Sequence, residues 1–249
     1  MENVVLLNVK GRRWLVPVDR GMMKVKGVGA VKTDGLDRLI GSKVQLNRRD
    51  YFVMIPSVRD LVETIKRRAQ IIGPKDSPVI VFNCSLQAGD LVVEGGAGSG
   101  AMTIVLAHAV SPNGRVVSYE VRRDFLRIAR ENVERGGLGG LVEFREGDVC
   151  AGIEEDMVKA VVLDIPDPWK ALPTAYEALQ PAGHLASMSP TVEQVRQTVL
   201  TLRDLGFVDI WTVEILERRM EVNRGTRPSF DMLGHTGYMT FARKALKAS

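Results

Sequence analysis

Two short stretches carry the residue types from which a reactive site can be built. The first is Asp90-Leu-Val-Val-Glu-Gly-Gly-Ala-Gly-Ser-Gly-Ala-Met-Thr103. An apolar run ends in Glu94, and glycines at 96, 98 and 100 lead into a helical pattern. Without Cβ atoms, such a loop lets backbone N–H groups approach a ligand closely. The second is Val161-Val-Leu-Asp-Ile-Pro-Asp-Pro-Trp169. Here an apolar run ends in Asp164, and Pro166 and Pro168 then fix two φ angles and remove two N–H donors. A loop that cannot relax holds the Asp164 carboxylate at a set position, which suits an acceptor that must orient an amine. Trp169 reads as a core anchor at a helix start, with stacking on a base as the functional alternative. Asp167 reads as a helix N-terminal charge.

Two further acids close later strand patterns. Glu120 follows Gly100 by 20 residues, and Asp148 lies in Glu146-Gly-Asp-Val149. An acid at the first position suits the hydroxyls of a ribose. One at the second can accept from an adenine amino group. Gly96-Ala-Gly-Ser-Gly-Ala101 also satisfies G-x-G-x-x-A, the dinucleotide fingerprint. Glu94 separates the readings. Beside a pyrophosphate its carboxylate is repelled; beside the ammonium and sulfonium of S-adenosylmethionine it is attracted. The residues therefore favour S-adenosylmethionine, with a nicotinamide or flavin nucleotide and a ligand-free tight turn as the other readings. The candidate cofactor set is Glu94, Gly96, Gly98, Ser99, Gly100, Ala101, Thr103, Glu120, Asp148, Val149 and Asp164. No G-x-x-x-x-G-K-[ST] occurs, so a P-loop is excluded.

These acids meet only if their strands run side by side. From residue 90 onward, strand and helix patterns alternate. Strands are expected at 91–93, 115–119, 141–144, 160–163 and 185–188. Helices are expected at 101–109, 124–135 and 191–205, and a closing β pair at 208–215 and 238–241. Alternation of this kind predicts an α/β fold, a largely parallel sheet covered on both faces. Residues 1–56 differ, with short apolar alternations broken by glycines, and are expected to form a small β-rich domain. A helical run over 58–68 opens the second unit, 57–249.

Of the chain's 34 Lys/Arg and 30 Asp/Glu, residues 1–60 hold 12 and 6. A basic module on a near-neutral body suits a polyanion, or else serves as a solubilising surface. No run of about 18 apolar residues is present, so no membrane span is expected. The N-terminus reads as a strand rather than a signal peptide. Cys84 and Cys150 match no metal spacing and are read as packing residues in a cytoplasmic protein.

Four pieces together resemble the tRNA adenine-N1 methyltransferases that act on the T-loop, across nearly the whole chain. They are the E-x-G-x-G-S-G loop, the D-x-P-x-P-W segment, Ala69-Gln-Ile-Ile-Gly-Pro-Lys-Asp76, and Gly234-His-Thr-Gly-Tyr-Met-Thr-Phe-Ala-Arg243. The resemblance implies a Rossmann-like class I methyltransferase domain behind a small N-terminal β domain, S-adenosylmethionine as cofactor, tRNA as partner and a homotetramer. It implies methylation at position 58, with position 57 left open as a second target. Gly96, Gly98, Ser99, Gly100 and Ala101 would line the cofactor, Glu120 would bind its ribose and Asp148 its adenine. Asp164 would be catalytic, accepting from the adenine N6 amine with no metal involved. Trp169, His235 and Tyr238, with Arg218, Arg219 and Arg227, form the candidate substrate set, in a cluster that also holds Arg224. His235 also reads as a structural histidine bonded to backbone, and the arginines as a solvated face. Two departures stand out. Gly73 replaces an expected tyrosine, and Asp231 an expected basic residue. The alternative functions are another class I methyltransferase, acting on a small molecule or protein isoaspartate, and a non-catalytic RNA-binding subunit of the same fold.

Overall fold

The chain opens with six strands: β1 (Asn3–Asn8), β2 (Arg13–Pro17), β3 (Met22–Val25), β4 (Gly29–Lys32), β5 (Lys43–Leu46) and β6 (Arg49–Met54). The computed structural model describes residues 2–68, 70–222 and 225–246; Ala69 and Arg224 lie outside them. An antiparallel sheet runs β2-β1-β6-β5, and β3 pairs with β4 as a separate hairpin. Alternate residues Val4, Leu6, Val16, Tyr51 and Val53 fill its core, with Trp14 edge-on to Tyr51 at 5.6 Å. Arg13 on β2 reaches Asp60 at 3.3 Å and Glu63 at 3.1 Å in the next element.

That element is α1 (Val58–Glu63), started by a capping box between Ser57 and Asp60. The sequence pattern predicts a helix to Arg68, but it stops at Glu63. The Thr64 hydroxyl bonds back to the Asp60 carbonyl at 2.7 Å. The N–H of Lys66 then donates to Asn132 Oδ1 at 2.9 Å and that of Arg68 to Ser99 Oγ at 3.2 Å. Donors captured by distant side chains cannot serve a helical ladder.

The elements that follow are α2 (Ser77–Asn83), β7 (Leu91–Gly95), α3 (Ala101–Val110), β8 (Arg115–Glu120), α4 (Arg123–Arg135), β9 (Val142–Glu146) and β10 (Val158–Leu163). Then come α5 (Pro168–Ala178), β11 (Leu179–Ser189), α6 (Val192–Leu205), β12 (Phe207–Val213), β13 (Met220–Val222), β14 (Thr226–Pro228) and β15 (Tyr238–Lys244). The large sheet runs β12-β15-β11-β10-β7-β8-β9. From β11 to β9 every pairing is parallel, and β15 is antiparallel to both its neighbours. This is the expected α/β architecture.

Successive strand residues serve two cores. Val92, Val116, Ala160 and Val162 face one, with α3 against them. Val93, Val117, Val161 and Leu163 face the other, with Ala171 and Leu172 of α5 and Leu202 of α6. Strands buried on both faces read as continuous apolar runs, the pattern of the sequence. The order reverses between β7 and β10, which makes their carboxyl ends the topological switch point. Among the described residues, no helix is long and apolar enough to cross a membrane.

Candidate functional site

The carboxyl ends of β10, β7, β8 and β9 lie side by side, and the candidate acids come from them. Glu94 is 2% exposed, and its Oε2 accepts from the hydroxyls of Thr103 and Ser118, both at 2.5 Å. Burial drives its carboxyl up to about 7 against those two bonds, and the charges of Asp164 and Glu120 push the same way as burial. Glu120 at the end of β8 uses both oxygens on backbone. Oε2 accepts from Gly98 N–H at 2.9 Å and Oε1 from Arg122 N–H at 3.0 Å. It therefore holds the glycine loop, with lone pairs left for a ligand hydroxyl. Asp148 stands two residues beyond β9 with an exposed carboxylate whose Oδ1 accepts from Cys150 N–H at 2.9 Å. Val149 is buried beneath the strand ends.

The loop takes its shape from φ angles of +93° at Gly96, +52° at Gly98 and +80° at Gly100. At Gly96 glycine is also needed for space, since a Cβ there would lie 2.3 Å from the carbonyl oxygen of Asp164. Asp164 N–H in turn donates to Gly95 carbonyl at 2.9 Å. The glycine loop and the acid–proline loop are thus in direct contact. Asp164 opens onto solvent, yet the protein around its carboxyl, and then the charge of Glu120, raises it to about 6. Gln194 on α6 braces the loop by donating to the Pro166 carbonyl at 2.8 Å. Asp167 occupies the position before α5 and pairs with Lys170 at 2.6 Å. Trp169 is half-buried against the α5 core.

Ser99 is 1% exposed, and Ala101 begins the buried helix α3. Behind them sits Asn132. Its amide donates to Ser99 carbonyl at 2.9 Å and Lys66 carbonyl at 3.0 Å, while its Oδ1 takes the Lys66 N–H. The sequence reading missed this link. Its signal is a polar residue on the apolar face of α4, beside Phe125, Ile128 and Ala129.

The remaining candidates form a second group. His235 Nδ1 lies 2.6 Å from Glu214 Oε1 and Nε2 lies 2.8 Å from Pro190 carbonyl. Both partners accept, so both ring nitrogens donate and the imidazolium is favoured. Glu214 and the Pro190 carbonyl raise its pKa above the ordinary histidine value. Its ring lies against Tyr238 at 4.9 Å. Nearby, Lys75 Nζ donates to Asp76 at 2.7 Å, Ile215 carbonyl at 2.7 Å and Thr236 Oγ1 at 2.6 Å. This clamp, also missed, ties the Ile72–Asp76 stretch to the Gly234–Gly237 stretch. Arg219 pairs with Glu217, Arg227 pairs with Glu221 and covers Phe230, and Arg218 is exposed. Gly73, Lys75, Arg219, Asp231 and Thr236 line one cleft of about 690 Å³. Both departures from the family pattern, Gly73 and Asp231, border it. Asp164 and the glycine loop do not.

Comparison with known proteins gives a consistent picture. The family described as tRNA methyltransferase complex GCD14 subunit matches residues 51–232. The tRNA (adenine(57)-N(1)/adenine(58)-N(1))-methyltransferase TrmI of Methanocaldococcus jannaschii is 34% identical, over 96% of this chain and 94% of its own. Two solved structures superpose along the whole chain. A Thermotoga maritima protein described as an SAM-dependent O-methyltransferase gives a TM-score of 0.87 at 32% identity, over 100% of this chain and 94% of its own. The tRNA (m1A58) methyltransferase TrmI of Aquifex aeolicus gives 0.79 at 27% identity, over 99% and 98%.

Proposed function

The chain belongs to the tRNA methyltransferase family of the GCD14 subunit, and from that premise we propose that it methylates N1 of adenine in the T-loop of tRNA, at position 58, with position 57 a second candidate. It is a methyltransferase and uses S-adenosylmethionine. The observation that carries the reading is the meeting of Glu94, Glu120 and Asp164: the charges of Asp164 and Glu120 raise the proton affinity of Glu94, and that of Glu120 raises Asp164. Such a site favours a cationic ligand over an anionic dinucleotide. Glycine at 96 keeps the loop in contact with Asp164, since a Cβ there would collide with the Asp164 carbonyl, and a Cβ at Gly98 would meet no protein atom within 4 Å, so that part of the loop is open to a ligand.

When bound, S-adenosylmethionine supplies a methyl group on a positively charged sulfur. The rest falls to the chain's own groups. Glu120 accepts from ribose hydroxyls with the lone pairs the loop leaves free, and Asp148 accepts from the cofactor's adenine amine. Asp164 accepts from the N6 amine of the target adenine and offsets the positive charge that develops on that base. Its contact with Gly95 and Gly96 and the Gln194 brace hold it in place, so alignment contributes much of the rate. Arg218, Arg219 and Arg227 serve as a phosphate-contacting rim, with residues 1–56 as an RNA-facing domain and a cytoplasmic homotetramer as the assembled form.

The test is to incubate the chain with methyl-labelled S-adenosylmethionine and tRNA and map the label by mass spectrometry. Label at adenine N1 in the T-loop is expected, falling roughly 10²–10³-fold in Asp164→Ala. Tight cofactor binding with no label in tRNA would sink the reading and leave an O-methyltransferase or a binding subunit.

A further inference from the structure

The tip of the β3–β4 hairpin meets that of the β5–β6 hairpin of the N-terminal sheet, and together they form a basic cleft of about 560 Å³, lined by residues 24–29, Asn47 and Arg49. Asn47 joins the tips. Its amide donates to the Val28 carbonyl at 3.0 Å and the Ala30 carbonyl at 3.1 Å. Trp14 braces the same turn by donating to the Lys26 carbonyl at 2.9 Å. Lys24, Lys26, Arg48 and Arg49 are exposed around this junction. Among the described residues none of the four meets a carboxylate at ion-pair distance, although Lys43 on the same hairpin pairs with Asp50 at 2.7 Å. The acids at the far end of the β3–β4 hairpin are engaged. Asp19 accepts from Gly35 N–H and Asp34 from Gly21 N–H, both at 3.0 Å.

The turn chemistry points the same way. The β5–β6 connection is two residues long, with φ of +50° at Asn47 and +63° at Arg48. That geometry favours Asn-Gly. The chain instead carries an arginine in a left-handed backbone, next to three more unpaired cations.

We infer that this braced tip binds phosphates of the tRNA at a place away from the target loop. The inference rests on the proposed function. Rigid, closely spaced cations with no acid partner fit an RNA backbone, whose contacts position without reading sequence. The cleft is built wholly from the N-terminal strands and their turns and shares no residue with the strand-end site, so the inferred contact is separate from the one proposed between Asp164 and the target adenine.

Two full-length variants test this against the unmodified chain, the triple Lys24→Ala/Lys26→Ala/Arg49→Ala and the single Arg48→Gly. The triple variant is expected to bind whole tRNA roughly 10-fold or more weakly at physiological salt, with the slope of log affinity against log salt reduced by about 2. Its kcat at saturating tRNA, its cofactor affinity and its kcat/KM on an isolated T-arm stem–loop stay unchanged. Arg48→Gly weakens tRNA binding while its melting temperature holds or rises, which a purely structural arginine would not produce. Unchanged tRNA affinity and salt slope in both variants overturn the inference alone, as does an equal loss on the stem–loop. An unmodified chain that neither binds nor labels tRNA overturns it together with the proposed function.

Discussion

Gly96 and Asp164 are fitted to each other: a Cβ on Gly96 would stand 2.3 Å from the Asp164 carbonyl oxygen. The glycine loop and the acid that faces it therefore form one unit. Gly96→Ala forces a side chain into a φ of +93° and drives the loops apart. Cofactor affinity, measured by calorimetry, is expected to fall at least 100-fold. Stability should drop by roughly 1–3 kcal/mol, the cost of holding a residue in a sparsely populated backbone region. A variant with normal cofactor affinity would show that the two loops move independently.

The carboxyl of Asp164 is raised to about 6 by the protein packed around it, although the residue opens onto solvent, and then by the charge of Glu120. Its proposed task needs the ionised form. In the free enzyme, kcat/KM should therefore rise with pH through about 6 and level off above it. Asp164→Asn keeps the shape, loses the charge and should lose this limb along with roughly 10²–10³ of kcat. The same limb persisting in that variant would assign the ionisation to another group.

Glu94 makes a different statement, about stability. Its folded carboxyl sits at about 7, above the ordinary value of 4.5. The folded state then holds a proton that the unfolded state releases first. Stability is full below about 4.5 and is lost as pH rises through 7, by on the order of 3 kcal/mol. Glu94→Gln should flatten that loss and melt higher than the parent at pH 8, while binding the cationic cofactor more weakly. Equal melting curves for the two proteins across this pH range would contradict the origin of the shift.

The sheet was legible because its strands are buried on both faces. In β10, Ala160 and Val162 face one core and Val161 and Leu163 the other, so the apolar run is unbroken. The strand-end acids followed from the same pattern. Helix α5 was harder to read because it contains Pro173, a residue that argues against a helix interior. The stop of α1 at Glu63 was hidden too, since the groups that end it, Asn132 and Ser99, lie far along the chain. Local periodicity carries no record of such partners. Nor could it show that Gly73 and Asp231 share a cleft apart from Asp164.

Asn132 gives that hidden link a measurable consequence. It is 2% exposed and makes three bonds to the backbones of Lys66 and Ser99. Asn132→Leu leaves those groups buried and unpaired, at a cost of roughly 2–4 kcal/mol. Asn132→Asp keeps the acceptor but sets a buried carboxylate oxygen against the Lys66 and Ser99 carbonyls, so it should be destabilised as well, and less so at low pH where the acid is protonated. Both should raise KM for the cofactor more than they lower kcat, because Asn132 supports the loop without touching the reacting atoms. A fall in kcat alone would contradict a positioning role.

His235 is held at both ring nitrogens by acceptors, Glu214 and the Pro190 carbonyl, and only the imidazolium can donate to both. Glu214 raises its pKa and Lys75 opposes this weakly. The contribution to stability is then present below about 6.5, the ordinary histidine value, and fades as pH rises through the higher folded value. Titration by proton resonance should place the midpoint above that of a free histidine. Glu214→Gln should bring it down. The exposed ring makes any change in global stability small, so the informative signal is local. Protection factors for hydrogen exchange over residues 234–238, corrected for the intrinsic pH dependence of exchange, should fall above the folded pKa in the parent and be low at all pH values in His235→Gln. A protection factor independent of pH in the parent would mean that neutral histidine holds the loop equally well, through one nitrogen.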